Sequence, residues 1–284
     1  MSEQDFIIDK QLARLAFEKS AAGYDDAAVL QREVATRMLE RLDYIKYQPK
    51  TILDVGTGTG FCAHHLARRY GEARIYALDF AFNMLQLARA NAGWWQRMRH
   101  RYAFINGDAE QLPLASSSVE LIVSSLAIQW CNDLDKVFAE FRRVLAPGGL
   151  LMFTTFGPDT LKELRTSWAA VDGEVHVNQF FDMHDVGDAL MRQGFAEPVM
   201  DTEYITMTYR EAMTLMKELK QIGAHNVTRG RSRHMTGKRQ LKQMLQAYEQ
   251  FRSDGVLPAS YEVVYGHAWA PTQSVSISLD QIKP

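Results

Sequence analysis

Apolar residues follow two rhythms along the chain. Between residues 9 and 45 they recur at helical spacing, as Leu12, Leu15 and Ala16 and then Leu30, Val34, Met38 and Leu42, with charges between them. Gln48-Pro49-Lys50 breaks that pattern. From Thr51 short apolar runs take over. The pattern predicts strands over 51–55, 74–78, 102–106, 119–124 and 150–155. Between them it predicts a helix ending at Arg69 and helices over 81–90 and 133–145, the last stopped by Pro147-Gly148-Gly149. Strands alternating with helices at these lengths predict an α/β, Rossmann-like parallel sheet with helices on both faces. Right-handed crossovers then line the strand C-terminal ends along one edge, where such sheets bind ligands.

Beyond Thr155 the rhythm loosens. Residues 157–182 read as irregular with a short helix, and 185–193 as a helix closed by Gly194. A sixth strand is expected over 199–206, two helices around a polar, basic loop over 209–252, and a last strand over 261–268. The sheet is therefore expected to be seven-stranded and mostly parallel. The chain divides into a helical segment, 1–48, and a sheet domain, 49–284, interrupted by a helical insertion, 207–256.

Composition narrows the classes. With 46% hydrophobic and 23% charged residues over 284 positions, the chain can bury a large core. A net charge of −2 argues against a surface built for nucleic acid. Cys62 and Cys131 form no CxxC pair, and the eight histidines show no HExxH spacing, so no metal is expected. The polar start MSEQDFIIDK is no secretory signal, and no apolar run nears the ~20 residues of a membrane span. A cytoplasmic monomer, without nucleic-acid or membrane partners, is the expectation.

The chemistry concentrates at three strand ends. The stretch 52–60, ILDVGTGTG, sits where a strand hands over to a helix, and its glycines let the backbone turn sharply against a ligand. A dinucleotide loop would use GxGxxG, which needs glycine at 61, where Phe61 stands. The spacing is GxGxG on Gly56, Gly58 and Gly60, with Asp54 two positions ahead. S-adenosylmethionine has no phosphate but carries a cationic amino-acid tail, so an acidic loop suits it better than a pyrophosphate cradle. Asp79 ends the second strand and can accept both ribose hydroxyls. Asp108, in the GDAE run after the third strand, can take the adenine amino group, with small Ala109 admitting the ring. Phe80 and Ser125, beside these ends, complete the expected cofactor set. Each segment alone reads equally well as turn chemistry; three in register favour S-adenosylmethionine, with S-adenosylhomocysteine as product.

These motifs resemble class I S-adenosylmethionine-dependent methyltransferases over residues 50–156. The flanking segments FEKSAAGYD (17–25), GPDTL and ELR (157–165), FDMHD (181–185), GAHN (223–226) and LPASYE (257–262) resemble the malonyl-acyl-carrier-protein O-methyltransferases of biotin synthesis, and extend the likeness over nearly the whole chain. That resemblance implies methylation of the free carboxyl of a malonyl thioester, on acyl carrier protein or coenzyme A. The ester disguises the carboxylate so that fatty-acid enzymes elongate the chain towards pimelate. It also implies that 1–48 and the insertion form a lid. A mitochondrial complex I assembly factor, described as an arginine hydroxylase, shares the GPDTL-type segment and the cofactor motifs, which keeps a protein-modifying or assembly role open.

Methyl transfer from a sulfonium is an in-line displacement, and a carboxyl with a pKa near ~4 is already ionised at neutral pH, so no general acid or base is expected. No (D/N)PP(Y/F) follows the fourth strand; the segment is SSLAIQW, 124–130. Orientation should then carry catalysis. Tyr24 is the candidate to cover the methyl donor. Gln129 and Trp130 lie past the fourth strand, on the expected substrate side. Arg165 is the first candidate, and His225 the second, to hold the malonyl carboxylate. The basic run containing Arg229, Arg231, Arg233, Lys238 and Arg239, without an acidic residue, is the candidate contact for the acidic acyl carrier protein.

Overall fold

The computed structural model describes residues 7–93, 101–231 and 237–272. Its centre is one seven-stranded sheet in the order β3-β2-β1-β4-β5-β7-β6. The strands are β1 (Thr51–Val55), β2 (Arg74–Asp79), β3 (Tyr102–Asn106), β4 (Val119–Ser125), β5 (Leu145–Phe156), β6 (Ala196–Tyr209) and β7 (Leu257–Trp269). β1 to β5 run parallel, whereas β7 is antiparallel to β5 and β6 antiparallel to β7. The central strands are buried on both faces, which is why β1 and β4 read as apolar runs rather than as alternations.

The helices follow from the same pattern. In chain order they are α1 (Lys10–Ser20), α2 (Tyr24–Ala27), α3 (Val29–Glu40), α4 (Phe61–Arg69), α5 (Phe82–Asn91), α6 (Leu134–Val144), α7 (Lys162–Ala169), α8 (Met183–Arg192), α9 (Ala212–Gln221) and α10 (Lys238–Tyr248). Asp9 caps α1 by accepting from Leu12 N, and Asp133 caps α6 by accepting from Lys136 N. On one face of the sheet Val34, Met38 and Leu66 of α3 and α4 join the core. On the other, Phe138 and Phe141 of α6 and Leu190 of α8 do so. No helix among the described residues is long and apolar enough to cross a membrane.

Three elements depart from expectation. The helical stretch 9–45 is broken by a 3₁₀ turn over Ala21–Gly23 and again at Ala28, so α1, α2 and α3 point separately. Pro147-Gly148-Gly149 does not precede β5 but lies inside it, at a register shift between the Val119↔Leu145 and Leu121↔Leu150 pairs. Gly148 takes φ +75° there. β6 and β7 are longer than expected because they pair continuously from Val199↔His267 to Tyr209↔Leu257.

Strand order reverses between β1 and β4, and the crevice at this switch point is where ligands of such sheets bind. The chain's two helical excursions meet over it. Asp9 N donates to Val227 O at 3.0 Å and Arg229 N to Ile7 O at 2.8 Å. Asn132 then ties Ile8 to the sheet, accepting from its N at 2.7 Å and donating to its O at 3.1 Å.

Candidate active site

The loop after β1 is shaped as a cradle. Gly56 N and Thr57 N both donate to Leu78 O, at 2.8 and 2.9 Å, which ties the loop to β2. Gly56 has φ +72°, and a Cβ there would sit 2.3 Å from Ala127 Cβ. Gly58, at φ +54°, would meet nothing within 4 Å, because it faces open cavity. The two glycines thus serve different ends: one admits the neighbouring chain and the other leaves room for a ligand. The cavity beyond has a volume of about 670 Å³ and is bounded by Gly56, Asp79, Phe80, Asp108, Ala109 and Ser125. A second lobe of about 470 Å³ shares Tyr24, Gly56, Gly58 and Ser125 with it and reaches Asp54.

The carboxylates sit at separate stations. Asp79 is buried; its Oδ2 accepts from Gly58 N and its Oδ1 from Ala81 N, both at 2.8 Å. Each oxygen keeps a lone pair for a further donor. Burial pushes the Asp79 pKa up to about 6, against those backbone donors. Asp54, also buried, accepts from Thr57 Oγ1 at 2.6 Å and Ala63 N at 3.0 Å through Oδ2, leaving Oδ1 without a partner among the described residues. Burial raises its pKa to about 7. Both acids therefore await a positive or hydrogen-bond-donating group that would restore full ionisation. Asp108 stands at the outer end, its side chain 42% exposed.

The N-terminal helices form the opposite wall. Phe17 of α1 meets Phe80 and Trp130 edge-on, with ring centroids 5.8 and 5.0 Å apart. Tyr24 borders both lobes, and burial together with Asp79 and Asp25 raises its pKa, so its hydroxyl keeps its proton at neutral pH. Lys10 Nζ contacts both oxygens of Asp108 at 2.7 Å and Glu110 Oε2 at 2.9 Å. Burial opposes its charge, yet these acids carry its pKa above the ordinary lysine value. The arrangement is a partly covered, acid-lined, two-lobed cavity at the topological switch point.

A methyltransferase-domain family model matches residues 53–153, which run from the cradle through β5. The malonyl-[acyl-carrier protein] O-methyltransferase of Gallionella capsiferriformans (strain ES-2) is 52% identical over 274 residues, covering 96% of this chain and 94% of that one. The chain belongs to the malonyl-[acyl-carrier protein] O-methyltransferase family. Among solved structures, the YcgJ protein from Bacillus subtilis shares the fold at TM-score 0.57 with 14% identity, covering 82% of this chain and 97% of that one. Phosphoethanolamine N-methyltransferase 2 of Haemonchus contortus, solved with S-adenosyl-L-methionine, shares it at TM-score 0.50 with 18% identity, covering 83% and 52%.

In this O-methyltransferase the residues expected around the cofactor converge. Gly56, Gly58, Asp79, Phe80, Asp108, Ala109 and Ser125 all border the main cavity, joined by Tyr24 and Trp130. Asp54 borders the second lobe. Gly60 does not touch either; at φ +94° it caps α4, its Cβ position 2.8 Å from His64 Cε1. The expected substrate residues divide. Gln129 borders a separate cavity of about 810 Å³ with Asn132, Gln179, Phe180 and Phe181, and Cys131 is common to this cavity and the cofactor one. Gln129 Nε2 donates to Leu126 O at 2.7 Å while its buried Oε1 lacks a partner among the described residues.

Arg165 borders neither cavity. Its Nη1 donates to Pro158 O at 2.8 Å and its Nη2 to Thr160 O at 3.0 Å, so the guanidinium clamps the loop after β5. His225 and Arg231 border a surface groove outside α1. Arg229 is exposed, as are Lys238 and Arg239 on the first turn of α10, and Arg233 lies outside the described residues. Sequence patterns missed Lys10, Leu126 and Asp25. Leu126 holds φ +48°, its N accepted by Thr154 Oγ1 at 3.0 Å, and Asp25 accepts from Thr59 Oγ1 at 2.6 Å. Only Asp25, inside the FEKSAAGYD segment, had a signal that could have found it. Asp172, Glu174 and His176 also cluster, with His176 Nε2 2.8 Å from Asp172 Oδ1, although no metal ligands were expected.

Proposed function

We propose that this enzyme transfers a methyl group from S-adenosylmethionine to the free carboxyl of a malonyl thioester carried by acyl carrier protein, the first step towards pimelate for biotin. The observation that carries the reading is the pairing of the Gly56–Gly58 cradle with three separated aspartates along one cavity. Asp54 would face the cationic amino-acid tail, Asp79 the ribose diol and Asp108 the adenine amine. The bound cofactor supplies the electrophilic methyl of a sulfonium. Similarity over nearly the full length to malonyl-[acyl-carrier protein] O-methyltransferases supports the acceptor.

What the chain's own residues do is hold and exclude. A malonyl carboxyl, with a pKa near ~4, needs no base. Tyr24, with its raised pKa, stays a donor and roofs the join between the lobes. Trp130 and the turn that carries Gln129 form the partition between the cofactor cavity and the neighbouring one, on which the acyl arm would lie. Orientation in a dry cavity can lower a barrier by roughly 7–11 kcal/mol. The N-terminal segment and the 207–256 insertion, knitted over the cavity, act as the lid, and the cations Arg229, Arg231, Lys238 and Arg239 favour an acidic carrier.

The test is incubation with labelled methyl donor and malonyl-acyl carrier protein, followed by a search for a base-labile methyl ester. Cofactor binding without ester formation would overturn the acceptor and leave the methyl-donor site standing.

A further inference from the structure

α1 is a wall with a cavity on one side and a groove on the other. Its inner face presents Lys10 and Phe17 to the cofactor cavity. Its outer face presents Leu12, Leu15 and Ala16 to a groove of about 1170 Å³, completed by the C-terminal end of α9 and the loop after it. The two spaces are thus separated by one helix, about 10–12 Å across with its side chains.

The groove has an apolar floor and a cationic rim. Leu15 is 54% exposed in it, an uncommon position for a large aliphatic side chain on a charged helix. Around it stand Lys19, Lys220 and Arg231, and no acidic residue among the described ones borders the groove. Lys19 and Lys220 form no ion pair among the described residues, and Arg231 only donates to Thr228 O at 2.9 Å. The pKa of His225, between them, is lowered first by desolvation and then by the charges of Lys220, Arg231 and Lys19. Three cations border one groove here with no acidic partner among the described residues. An anionic partner with an apolar stripe would supply both missing halves.

We propose that this groove docks an acidic amphipathic helix of the acyl carrier protein, placing the carrier on the outer face of the helix that walls the cofactor cavity. The proposal rests on the function argued above. It places the contact on α1 and α9 and uses Arg231 as the link to the basic stretch. Lys238 and Arg239, on α10, do not border this groove. Steering by clustered charge accelerates and orients such an encounter. Seating a partner against Leu12 and Leu15 also lets carrier arrival bear directly on the position of Phe17 and Lys10.

The test is the double variant Lys19→Glu/Lys220→Glu, assayed with malonyl-acyl carrier protein and with malonyl-N-acetylcysteamine, a small thioester without a carrier. KM for the carrier substrate should rise roughly tenfold or more. Turnover of the small thioester and the melting temperature should be unchanged, and a carrier variant with helix glutamates changed to lysine should restore the loss. An uncharged change, Leu15→Ser, should weaken only the carrier reaction. Equal losses on both substrates, or no loss on either, would overturn the docking site. If the wild-type enzyme methylates neither thioester, the functional reading falls by itself, and direct titration of holo-acyl carrier protein decides the groove: weakening by the double variant supports it, and binding that is absent or unaffected overturns it.

Discussion

Replacing Gly56 by alanine tests the cradle from first principles. The new Cβ would lie 2.3 Å from Ala127 Cβ, whereas carbons pack comfortably at roughly 3.5–4.0 Å, so something must move by more than about 1 Å. The loop cannot simply retreat, because Gly56 N and Thr57 N are both held by Leu78 O. An L-residue at φ +72° costs roughly 1–2 kcal/mol, and forcing a packed backbone aside costs roughly 1–3 kcal/mol more. The sum, roughly 2–5 kcal/mol, should lower the melting temperature by at least about 4 °C in a chain of this size. Gly58→Ala is the control. At φ +54° with open space around it, alanine there carries only the dihedral strain, so stability should fall by about 1 kcal/mol while cofactor affinity collapses. Combining Gly56→Ala with Ala127→Gly removes the clash but keeps the strain, and thermal melts of the four-protein cycle should give a coupling of about 1–3 kcal/mol. A Gly56→Ala protein that melts with the wild type, or a cycle that is purely additive, refutes the reasoning.

Other consequences follow from the same geometry. Asp79→Asn should weaken S-adenosylmethionine binding by roughly 10- to 100-fold, measured calorimetrically, since hydrogen bonds to a charged acceptor are worth roughly 1.5–3 kcal/mol; an unchanged Kd would remove Asp79 from the ribose. Asp54 and Asp79 have folded pKa values of about 7 and about 6, above the unfolded carboxyl near ~3.9, so the cofactor-free protein holds protons that the unfolded chain has lost. Its stability should therefore fall as pH rises from about 4 through 7. Cofactor binding near pH 6 should release protons, visible as a buffer-dependent heat; buffer-independent heats would refute this. Arg165→Ala should destabilise the protein by roughly 1–3 kcal/mol in urea melts, because the Pro158 and Thr160 carbonyls lose their donors, with cofactor affinity intact. A raised KM for malonyl thioester without destabilisation would instead return Arg165 to the substrate site.

The parallel half of the fold was legible because its signals are local. β1 and β3 begin and end where their apolar runs do, and the glycine spacing at 56, 58 and 60 sits on a turn that requires positive φ at all three. Asp79 and Asp108 were legible because strand ends in register deliver them to one edge. Lys10 was not, because its role exists only through contact with residues 98 and more positions away. Leu126 carried no signal either: a leucine at φ +48° is unfavourable alone and is held there by Thr154, on the neighbouring strand. Arg165 shows the converse case. Its charge and position after β5 fitted an anion site, but two nearby carbonyls were closer claimants, and sequence spacing does not rank such competitors. The same holds for Gly60, whose place in the motif matched a cofactor contact while its φ serves the start of α4.

The cofactor cavity is assembled from two kinds of element with different stability. Its floor comes from loops tied into the parallel sheet, where Gly56 N is held by Leu78 O, Asp79 pairs with Asn106 of β3 and Ser125 with Thr154 of β5. Its roof comes from segments far apart in the chain, joined to each other by Asp9 to Val227, Arg229 to Ile7 and Gln221 to the Gly23 carbonyl, and to the floor by the Ile8–Asn132 and Asp25–Thr59 hydrogen bonds and the Lys10 ion pair with Asp108 and Glu110. The small apolar cluster of Ile8, Ala13 and Val227 is separate from the two main cores. We expect ligand exchange to proceed by lifting of this roof rather than by deformation of the sheet, and hydrogen exchange over α1 should then slow on cofactor binding while the sheet amides stay unchanged; α1 amides that exchange alike with and without cofactor would refute it. The Lys10 contacts make that lifting sensitive to the adenine end, because the carboxylate expected to hold the adenine amine is the one that anchors α1.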